Sequence, residues 1–271
     1  MGLKATKLLS IAYVCTKKEY LSGDLTDSIN RFLSMKPSRH YCFDLFLIFD
    51  QGDESDYSCL LDFESNENIN KVFIHSLHIS DEDNVYVRSR HSLKKFKELG
   101  EPALGLSAGP NNLFFGAMNY LSDKDYDHYM VLETDTRPVK YFWFDLLFKY
   151  SQNNDFLIAG STYKGNTQIP EDVDWKYHLN GVAIYKNSKK LTCLLSSAKT
   201  EIISRVANGE NGYFVNYDLA IHYASKSSTK EYEGVIDTDI IVNISLGIDK
   251  DIKEQDILTK HKKTIILHQK I

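Results

Sequence analysis

The amino-acid sequence predicts an α/β fold in which helices cover both faces of a mainly parallel central sheet. Short, nearly uninterrupted apolar runs alternate along the chain with segments that have helical spacing. Such strands suit a sheet that is buried on both faces. The chain has 271 residues, of which 42% are hydrophobic, and that is enough to bury one sizeable core. Because no repeat or linker interrupts the pattern, we expect a single domain over residues 1–271.

The first part of the chain alternates strands and helices. Apolar runs that read as strands cover residues 7–15, 43–55 and 71–79. The second of these runs ends in an acidic turn that contains glycine. Between the first two strands, residues 25–35 have helical spacing, and either Thr26 or Asp24 is available as the cap. This alternation is typical of a parallel sheet.

The second part of the chain continues the alternation. Helices are predicted over residues 107–121, 141–150 and 191–209, the first broken near Gly109-Pro110 and the last ended by Gly209. Strands are predicted over residues 127–135, 155–163, 180–187 and 235–245. A charged stretch over residues 249–263 then separates the last of these strands from a final apolar run.

Composition excludes several classes of protein. A net charge of -5 argues against a nucleic-acid binder, which usually has a basic face. No segment approaches the roughly 20 apolar residues that span a bilayer, although the start MGLKAT fits a loose myristoylation pattern and leaves peripheral membrane contact open. The four cysteines have no CxxC spacing and predict a reducing, cytoplasmic location. They are Cys15, Cys42, Cys59 and Cys193.

Two acids follow the apolar run of residues 127–135. Glu133 and Asp135 are one residue apart, so both side chains can project toward the same side. Ligands of α/β sheets bind beyond the carboxyl ends of the strands, and two carboxylates held close are unfavourable unless they share a cation or a proton. A hard divalent ion, Mn2+ or Mg2+, meets this need. The alternative is a pair of solvated turn acids, with Asp135 capping the next helix.

The segment VLETDTRP resembles the DxD motif of nucleotide-sugar-dependent glycosyltransferases of the GT-A fold, in a variant that opens with Glu. SAGPNNLFFGAMNYL is similar to the glycine-proline-asparagine segment that precedes the motif in some polysaccharide glycosyltransferases. HLNGVAIYK is similar to the Asn-Gly strand on their acceptor side, and ILHQK to a late metal-binding histidine. The resemblance runs from about Ser107 to the C-terminus. Residues 1–106 match it as a generic nucleotide-binding half, and residues 107–271 as the metal and acceptor half.

The resemblance implies a metal site near the motif. Asp135 corresponds to the acid that coordinates the metal directly and that catalysis requires. Glu133 corresponds to the acid that contacts the ribose, or the metal through water. His268 would be a further metal ligand, and Lys270 would pair with the diphosphate of the donor. A strand histidine near a frayed terminus and a solvated lysine are the alternative interpretations of the last two.

The resemblance also implies a donor site over the exit of the first strand. The residues expected to line the base are Tyr13, Val14 and Cys15. Asp50, after the second strand, would contact base or ribose, unless it only shapes its turn. Three further residues lie where a later helix begins, and the start of that helix would offer N–H groups to an anion. A plain helix start explains the same three residues as well. These residues are Gly109, Pro110 and Asn111.

On the acceptor side the resemblance implies three residues and one acid. The three residues are His178, Asn180 and Gly181. Glycine there would let a sugar approach the backbone closely, whereas a hairpin or bulge is the competing interpretation. Asp218 would deprotonate the acceptor if the reaction inverts configuration, or stabilise positive charge on the sugar if it retains configuration. It could also be only a helix cap.

The predicted function is therefore the metal-dependent transfer of a sugar from a nucleotide-diphosphate sugar to a glycan or other hydroxyl acceptor. A UDP-sugar donor and retention of configuration are favoured. Two alternatives stay open. A nucleotidyltransferase also uses paired acids and Mg2+ on an α/β sheet, but residues 12–24 are a poor version of its phosphate loop. A non-catalytic carbohydrate-binding or interaction protein with a decayed site is the second alternative.

Overall fold

A computed structural model gives the structure of the chain and describes residues 4–5, 7–86, 102–165, 177–210, 215–227, 233–245 and 253–270. The strands are β1 Lys4–Ala5, β2 Ser10–Cys15, β3 Tyr41–Phe49, β4 Ile69–Ser76, β5 His128–Leu132, β6 Thr136–Pro138, β7 Ile158–Gly160, β8 Ala183–Lys186, β9 Val235–Asp237, β10 Ile241–Ser245 and β11 Ile266–Lys270. The α-helices are α1 Lys17–Leu21, α2 Asp24–Ser34, α3 Ala108–Ser122, α4 Trp143–Asn153, α5 Lys189–Ala207, α6 Tyr217–Ser227 and α7 Glu254–Lys260.

The central sheet is mainly parallel, as predicted. Its strand order is β1-β3-β2-β5-β8-β7-β9, and β4 also pairs with β3. Among the described strands, β8 runs antiparallel to both of its neighbours, and the other pairings in this sheet are parallel. Because β2 and β5 are parallel neighbours near the middle, their carboxyl ends open on the same edge of the sheet.

Helices pack on both faces of the central sheet, which also agrees with the prediction. Along β2, Ile11 and Tyr13 face a core that includes α2 and α4, whereas Ala12 faces a second core that includes α3, α5 and α6. This alternation follows from the two-residue repeat of a strand. The continuous apolar character of β2 and β3 is therefore explained by burial on both sides.

A second, three-stranded sheet joins the end of the chain to the segment after β5. Its order is β10-β11-β6. Strand β11 runs parallel to β10 and antiparallel to β6, and in this register His268 lies opposite Thr136. The side chain of His268 is fully buried. The pairing therefore brings the last strand of the chain next to the residues that follow β5.

The predicted cap of α2 is wrong. The residue before the helix is Gly23, whose φ of 88° lies in the left-handed region that glycine adopts readily. Asp24 is the first helical residue and Thr26 lies inside the first turn, and no side chain caps the helix. Asp24 and Asp27 still place negative charge near the positive end of the helix dipole.

One other local prediction is wrong. The strand predicted over residues 235–245 is two strands, β9 and β10, which belong to different sheets. The chain turns between them, where the N–H of Thr238 donates to the carbonyl of Gly160 at 2.8 Å. The charged stretch over residues 249–263 contains the helix α7, because Ile257 supplies an apolar side chain that packs against the second sheet.

The elements that were not predicted include β1, α1, β6 and a 3₁₀ helix after β3. Residues Glu54–Ser65 form a 3₁₀ helix after β3, and its Tyr57 is buried and stacks on Phe49 with ring centroids 3.7 Å apart.

The four cysteines are free. None of the helices in the described ranges has the length and apolar character that crossing a membrane requires.

Trp143 anchors α4 to the core. Its side chain is 1% exposed, and its indole N–H donates to the carbonyl of Phe32 at 2.9 Å. Its ring meets the ring of Phe32 edge to face, with centroids 5.0 Å apart. Trp143 therefore ties α4 to α2 on the face of the sheet that holds the first core.

We expect Trp143→Ala to lower the free energy of unfolding by about 3–5 kcal/mol, because it leaves a large cavity and an unpaired carbonyl. Chemical denaturation would measure the loss. Tyr141→Ala is the matched control, since Tyr141 is two residues away and 60% exposed, and it should change stability by no more than about 0.5 kcal/mol. Equal stability of the two variants would contradict this account of the core.

Candidate functional site

The two acids of the motif lie in a turn between the two sheets. Strand β5 ends at Leu132, before the predicted boundary, and Glu133 is the first residue beyond it. The N–H of Thr136 donates to the carbonyl of Glu133 at 3.1 Å, which closes a β-turn over residues 133–136. From β11, the N–H of Gln269 donates to the carbonyl of Asp135 at 3.3 Å. The backbone of the turn is thus attached to the strand that carries His268.

Glu133, Asp135 and His268 form a compact cluster. The His268 Nε2 atom lies 3.0 Å from Asp135 Oδ1 and 3.4 Å from Glu133 Oε2. One candidate ligand atom from each residue lies within 4.8 Å of those of the other two. The imidazole is fully buried, whereas the carboxylate side chains are 32% and 24% exposed. The acids therefore face an accessible space and the histidine backs them.

Electrostatics around His268 favour a cation at this place. Burial by itself lowers the pKa of His268, but the contacts and charges of Asp135 and Glu133 outweigh burial and raise that pKa to about 9. The 3.0 Å contact is an ion-pair distance rather than an aligned hydrogen bond. Within the described ranges, no partner meets hydrogen-bond geometry with either ring nitrogen of His268. The same is true of Asp135 Oδ1. These atoms converge as ion pairs without aligned hydrogen bonds, an arrangement that ligand atoms around a common centre also have.

The donor set fits a hard divalent cation. Two carboxylates supply the oxygen ligands that Mn2+ and Mg2+ prefer, and a neutral imidazole is an acceptable nitrogen ligand for Mn2+. Binding would require His268 to lose its proton, so the metal would replace the proton as the local positive charge. Glu133, Asp135 and His268 are the residues that can hold such an ion.

The cluster borders a pocket of about 420 Å³ at the carboxyl edge of the central sheet. The exits of β2 and β5 and the starts of α3 and α6 surround it. Seven of the residues singled out in the sequence line it together: Val14, Gly109, Pro110, Glu133, Asp135, Asn180 and Asp218. The sheet therefore gathers side chains that lie as far as 204 positions apart, from 14 to 218, around one space.

Tyr13 and Cys15 do not line this pocket. The Tyr13 hydroxyl lies 3.2 Å from Ser28 Oγ in the core beneath α2, and burial raises the pKa of Tyr13. The Cys15 thiol is fully buried and contacts the carbonyl of Ile48. Of the three consecutive residues predicted to line a base, the structure places only Val14 at the pocket.

Asp50 lies beside the pocket and organises its wall. It is 4% exposed. Its Oδ1 accepts from the N–H of Lys17 at 2.7 Å, and its Oδ2 accepts from the amide of Asn84 at 2.8 Å. Asp50 thus ties the start of α1 to Asn84, which lines the pocket.

The start of α3 offers fewer donors than its sequence suggests. The N–H of Gly109 donates to the carbonyl of Val85 at 2.8 Å, and Pro110 has no N–H. The side chain of Asn111 is buried, where its amide donates to two carbonyls and its oxygen accepts from the N–H of Tyr217 at 2.8 Å. Asn111 therefore joins α3 to α6.

The acceptor-side residues are also brought together. The His178 Nε2 atom lies 3.2 Å from Asp218 Oδ2, and both side chains are mostly buried. The backbone at Gly181 is covered by the phenol of Tyr217, because a Cβ there would lie 1.9 Å from the Tyr217 hydroxyl oxygen. That hydroxyl donates to Glu133 Oε1 at 3.3 Å. Lys270 lies in β11, but its side chain is outside the described part of the chain.

Several pocket residues were missed from the sequence. Those with polar side chains are Thr16, Lys18, Glu19, Asn84, Tyr86, Thr134, Asn216 and Tyr217. A signal existed for two of them, since Thr16 and Glu19 have the spacing of a capping box directly after the first strand. The structure contains that box at the start of α1.

Comparisons with known proteins identify the fold. No protein-family model and no curated protein sequence matches the chain. The apo glycosyltransferase GlyE of Streptococcus pneumoniae TIGR4 is 12% identical with a TM-score of 0.52, over 99% of this chain and 54% of that one. Mouse xyloside xylosyltransferase 1 is 11% identical with a TM-score of 0.52, over 99% of this chain and 97% of that one.

The apo structure of the bifunctional glycosyltransferase WbbM is 13% identical with a TM-score of 0.50, over 97% of this chain and 45% of that one. This chain thus spans about half of GlyE and less than half of WbbM. The likeness confirms the predicted α/β fold of the GT-A type.

We expect Gly181→Ala to displace Tyr217 and to lower the free energy of unfolding by about 1–3 kcal/mol. The phenol has little room to move, because its ring stacks on Phe114 with centroids 3.9 Å apart. Denaturant titration would measure the loss. The same substitution made in a Tyr217→Phe background should lower the free energy of unfolding by less than it does in the wild type. The reason is that Tyr217→Phe removes the hydroxyl oxygen, the atom nearest to the added Cβ. Wild-type stability of Gly181→Ala would refute the contact.

Proposed function

We propose that this chain is a metal-dependent glycosyltransferase that transfers a sugar from a nucleotide-diphosphate sugar to a glycan or other hydroxyl acceptor. The observation that carries the proposal is the cluster of Glu133, Asp135 and His268 at the edge of a pocket beyond the strand ends. The GT-A type of fold, shared with structures that are named as glycosyltransferases, supports it.

The metal site would serve the departure of the nucleotide diphosphate. A Mn2+ or Mg2+ ion held there would neutralise the negative charge that develops on the leaving diphosphate. Asp135 and His268 would hold the ion directly, and Glu133 would contact it or the donor ribose. Because the carboxylates are partly exposed while His268 is buried, the open side of the cluster faces the pocket where the donor would bind.

The nucleotide would bind toward the exit of β2. The pocket residues from this part of the chain are Val14, Thr16, Lys18 and Asn84. Asp50 holds the backbone N–H of Lys17 and the side-chain amide of Asn84 in place. Lys18 lines the pocket and would offer the diphosphate a positive charge, which is the role that the sequence resemblance implies for Lys270. We favour a UDP-sugar as the donor, in line with the sequence resemblance.

Asp218 is the acid proposed to act on the sugar. It lines the pocket from the start of α6, and His178 lies 3.2 Å from it. In a retaining reaction, which we favour, Asp218 would stabilise positive charge on the sugar, and in an inverting one it would accept the proton of the acceptor hydroxyl. Asn180 lines the same region and would contact the acceptor.

Binding of nucleotides distinguishes the proposed function from its alternatives. We expect Mn2+-dependent binding of UDP or GDP by calorimetry, and release of a sugar from one member of a panel of nucleotide sugars, followed by mass spectrometry. A preference for nucleoside triphosphates would favour a nucleotidyltransferase. Absence of any nucleotide binding, with or without Mn2+, would favour a non-catalytic carbohydrate-binding protein.

We expect Asp135→Asn to reduce Mn2+-dependent turnover of the donor by roughly 100-fold or more, since a bound metal contributes several kcal/mol of charge stabilisation. The unfolding temperature without metal should fall modestly, because the substitution relieves the repulsion between two like charges but also removes one of the two carboxylates that pair with the buried His268. Asp125→Asn is the matched control, as the Asp125 side chain is 92% exposed. Full activity of Asp135→Asn with Mn2+ would rule out the assigned site.

A further inference from the structure

Thr134, the residue between the two acids, is held at both its side chain and its backbone. Its hydroxyl donates to Glu19 Oε1 at 2.6 Å, and its carbonyl accepts from Arg31 Nη2 at 2.9 Å. Thr134 is 8% exposed. The turn that carries Glu133 and Asp135 is therefore attached to α1 through Glu19 and to α2 through Arg31.

Glu19 has a second task at the start of α1. Its Oε2 atom accepts from the N–H of Thr16 at 2.7 Å and from the hydroxyl of Thr16 at 2.8 Å. The Thr16 hydroxyl oxygen accepts from the N–H of Glu19 at 3.2 Å, which completes a capping box. One carboxylate thus closes the N-terminus of α1 with one oxygen and holds Thr134 with the other.

The geometry of Glu19 is well defined because both of its oxygens are engaged. Thr16 directly follows β2, so the capping box fixes Glu19 relative to the central sheet. Glu19 and Thr134 both line the pocket. Hydrogen bonds to charged groups are stronger than those between neutral groups, so the bond from Thr134 to Glu19 resists rotation of the turn.

We propose that Glu19 is a positioning residue for the metal site and that it acts through the Thr134 hydroxyl. This inference rests on the proposed function, because it assumes that Glu133, Asp135 and His268 bind a divalent cation. The Glu19–Thr134 bond keeps the turn over residues 133–136 in the orientation at which both carboxylates converge with His268. Groups behind metal ligands commonly set the affinity of a site in this way.

Thr134→Val tests the proposal with the least disturbance, because valine keeps the shape of threonine and leaves the capping box of Thr16 and Glu19 intact. We expect Mn2+ binding to the full chain to weaken roughly tenfold or more, as for other groups behind metal ligands. Calorimetry, or the electron paramagnetic resonance signal of free Mn2+, would measure it without any activity assay. Thr134→Ser keeps the hydroxyl and should restore most of the affinity.

Two further variants separate positioning from a merely structural role. Glu19→Gln keeps a residue that a capping box accepts but removes the charged acceptor of Thr134, so Mn2+ binding should again weaken. Thr200→Val is the matched control. Its hydroxyl donates to the carbonyl of Ser196 at 2.9 Å on the exposed face of α5, and its loss should leave Mn2+ affinity unchanged. A purely structural contact would lower the unfolding temperature and leave the affinity of the folded protein as it was.

The outcomes are distinct. Weaker binding in Thr134→Val and Glu19→Gln, with recovery in Thr134→Ser, supports the proposal. Wild-type affinity in Thr134→Val overturns the role of Glu19 while the metal site stands. Affinity in Thr134→Ser as low as in Thr134→Val also overturns it, because the hydroxyl is then not the cause. If the wild-type chain binds no Mn2+, both this inference and the proposed metal site are overturned.

Discussion

The candidate site depends on the antiparallel pairing of β11 with β6. That pairing places His268 opposite Thr136 and so within 3.0 Å of Asp135 and 3.4 Å of Glu133. Two carboxylates in one turn repel each other, and the imidazolium is the positive charge that lets them stay together when no metal is bound. A divalent cation would take over the same task with a higher charge. The small second sheet is therefore the means by which the end of the chain completes a site formed by the middle.

The strands and the pair of acids were predictable from sequence because both depend on simple local rules. Continuous apolar runs gave β2, β3 and β5, and the spacing of Glu133 and Asp135 pointed to a shared cation. The link to His268, however, came from a family resemblance. No local pattern determines which strand pairs with β6, since that pairing joins residues 132 positions apart, 136 and 268. The pairing of β11 with β6 is therefore visible only in the folded structure.

The predictions that placed side chains at the pocket show a different limit. Tyr13, Val14 and Cys15 are consecutive in a strand, and successive side chains point to opposite faces. They could not all line one pocket, and the structure places Val14 there while Tyr13 and Cys15 face the core. At Gly181, the absence of a side chain makes room for Tyr217 of the same chain. A glycine in sequence reports only that something approaches closely, not whether it is substrate or protein.

The carboxylates of the cluster keep some exposure while the groups around them are fixed. Strand β11 holds the carbonyl of Asp135, and Glu19 and Arg31 hold Thr134. Tyr217 donates to Glu133, and its ring is packed between Phe114 and Gly181. A ligand that binds to such a site loses little free energy in ordering protein groups, because they are ordered before it arrives. A divalent cation that enters the pocket would therefore replace the proton of His268 as the positive charge between the two acids, at groups that folding has already positioned.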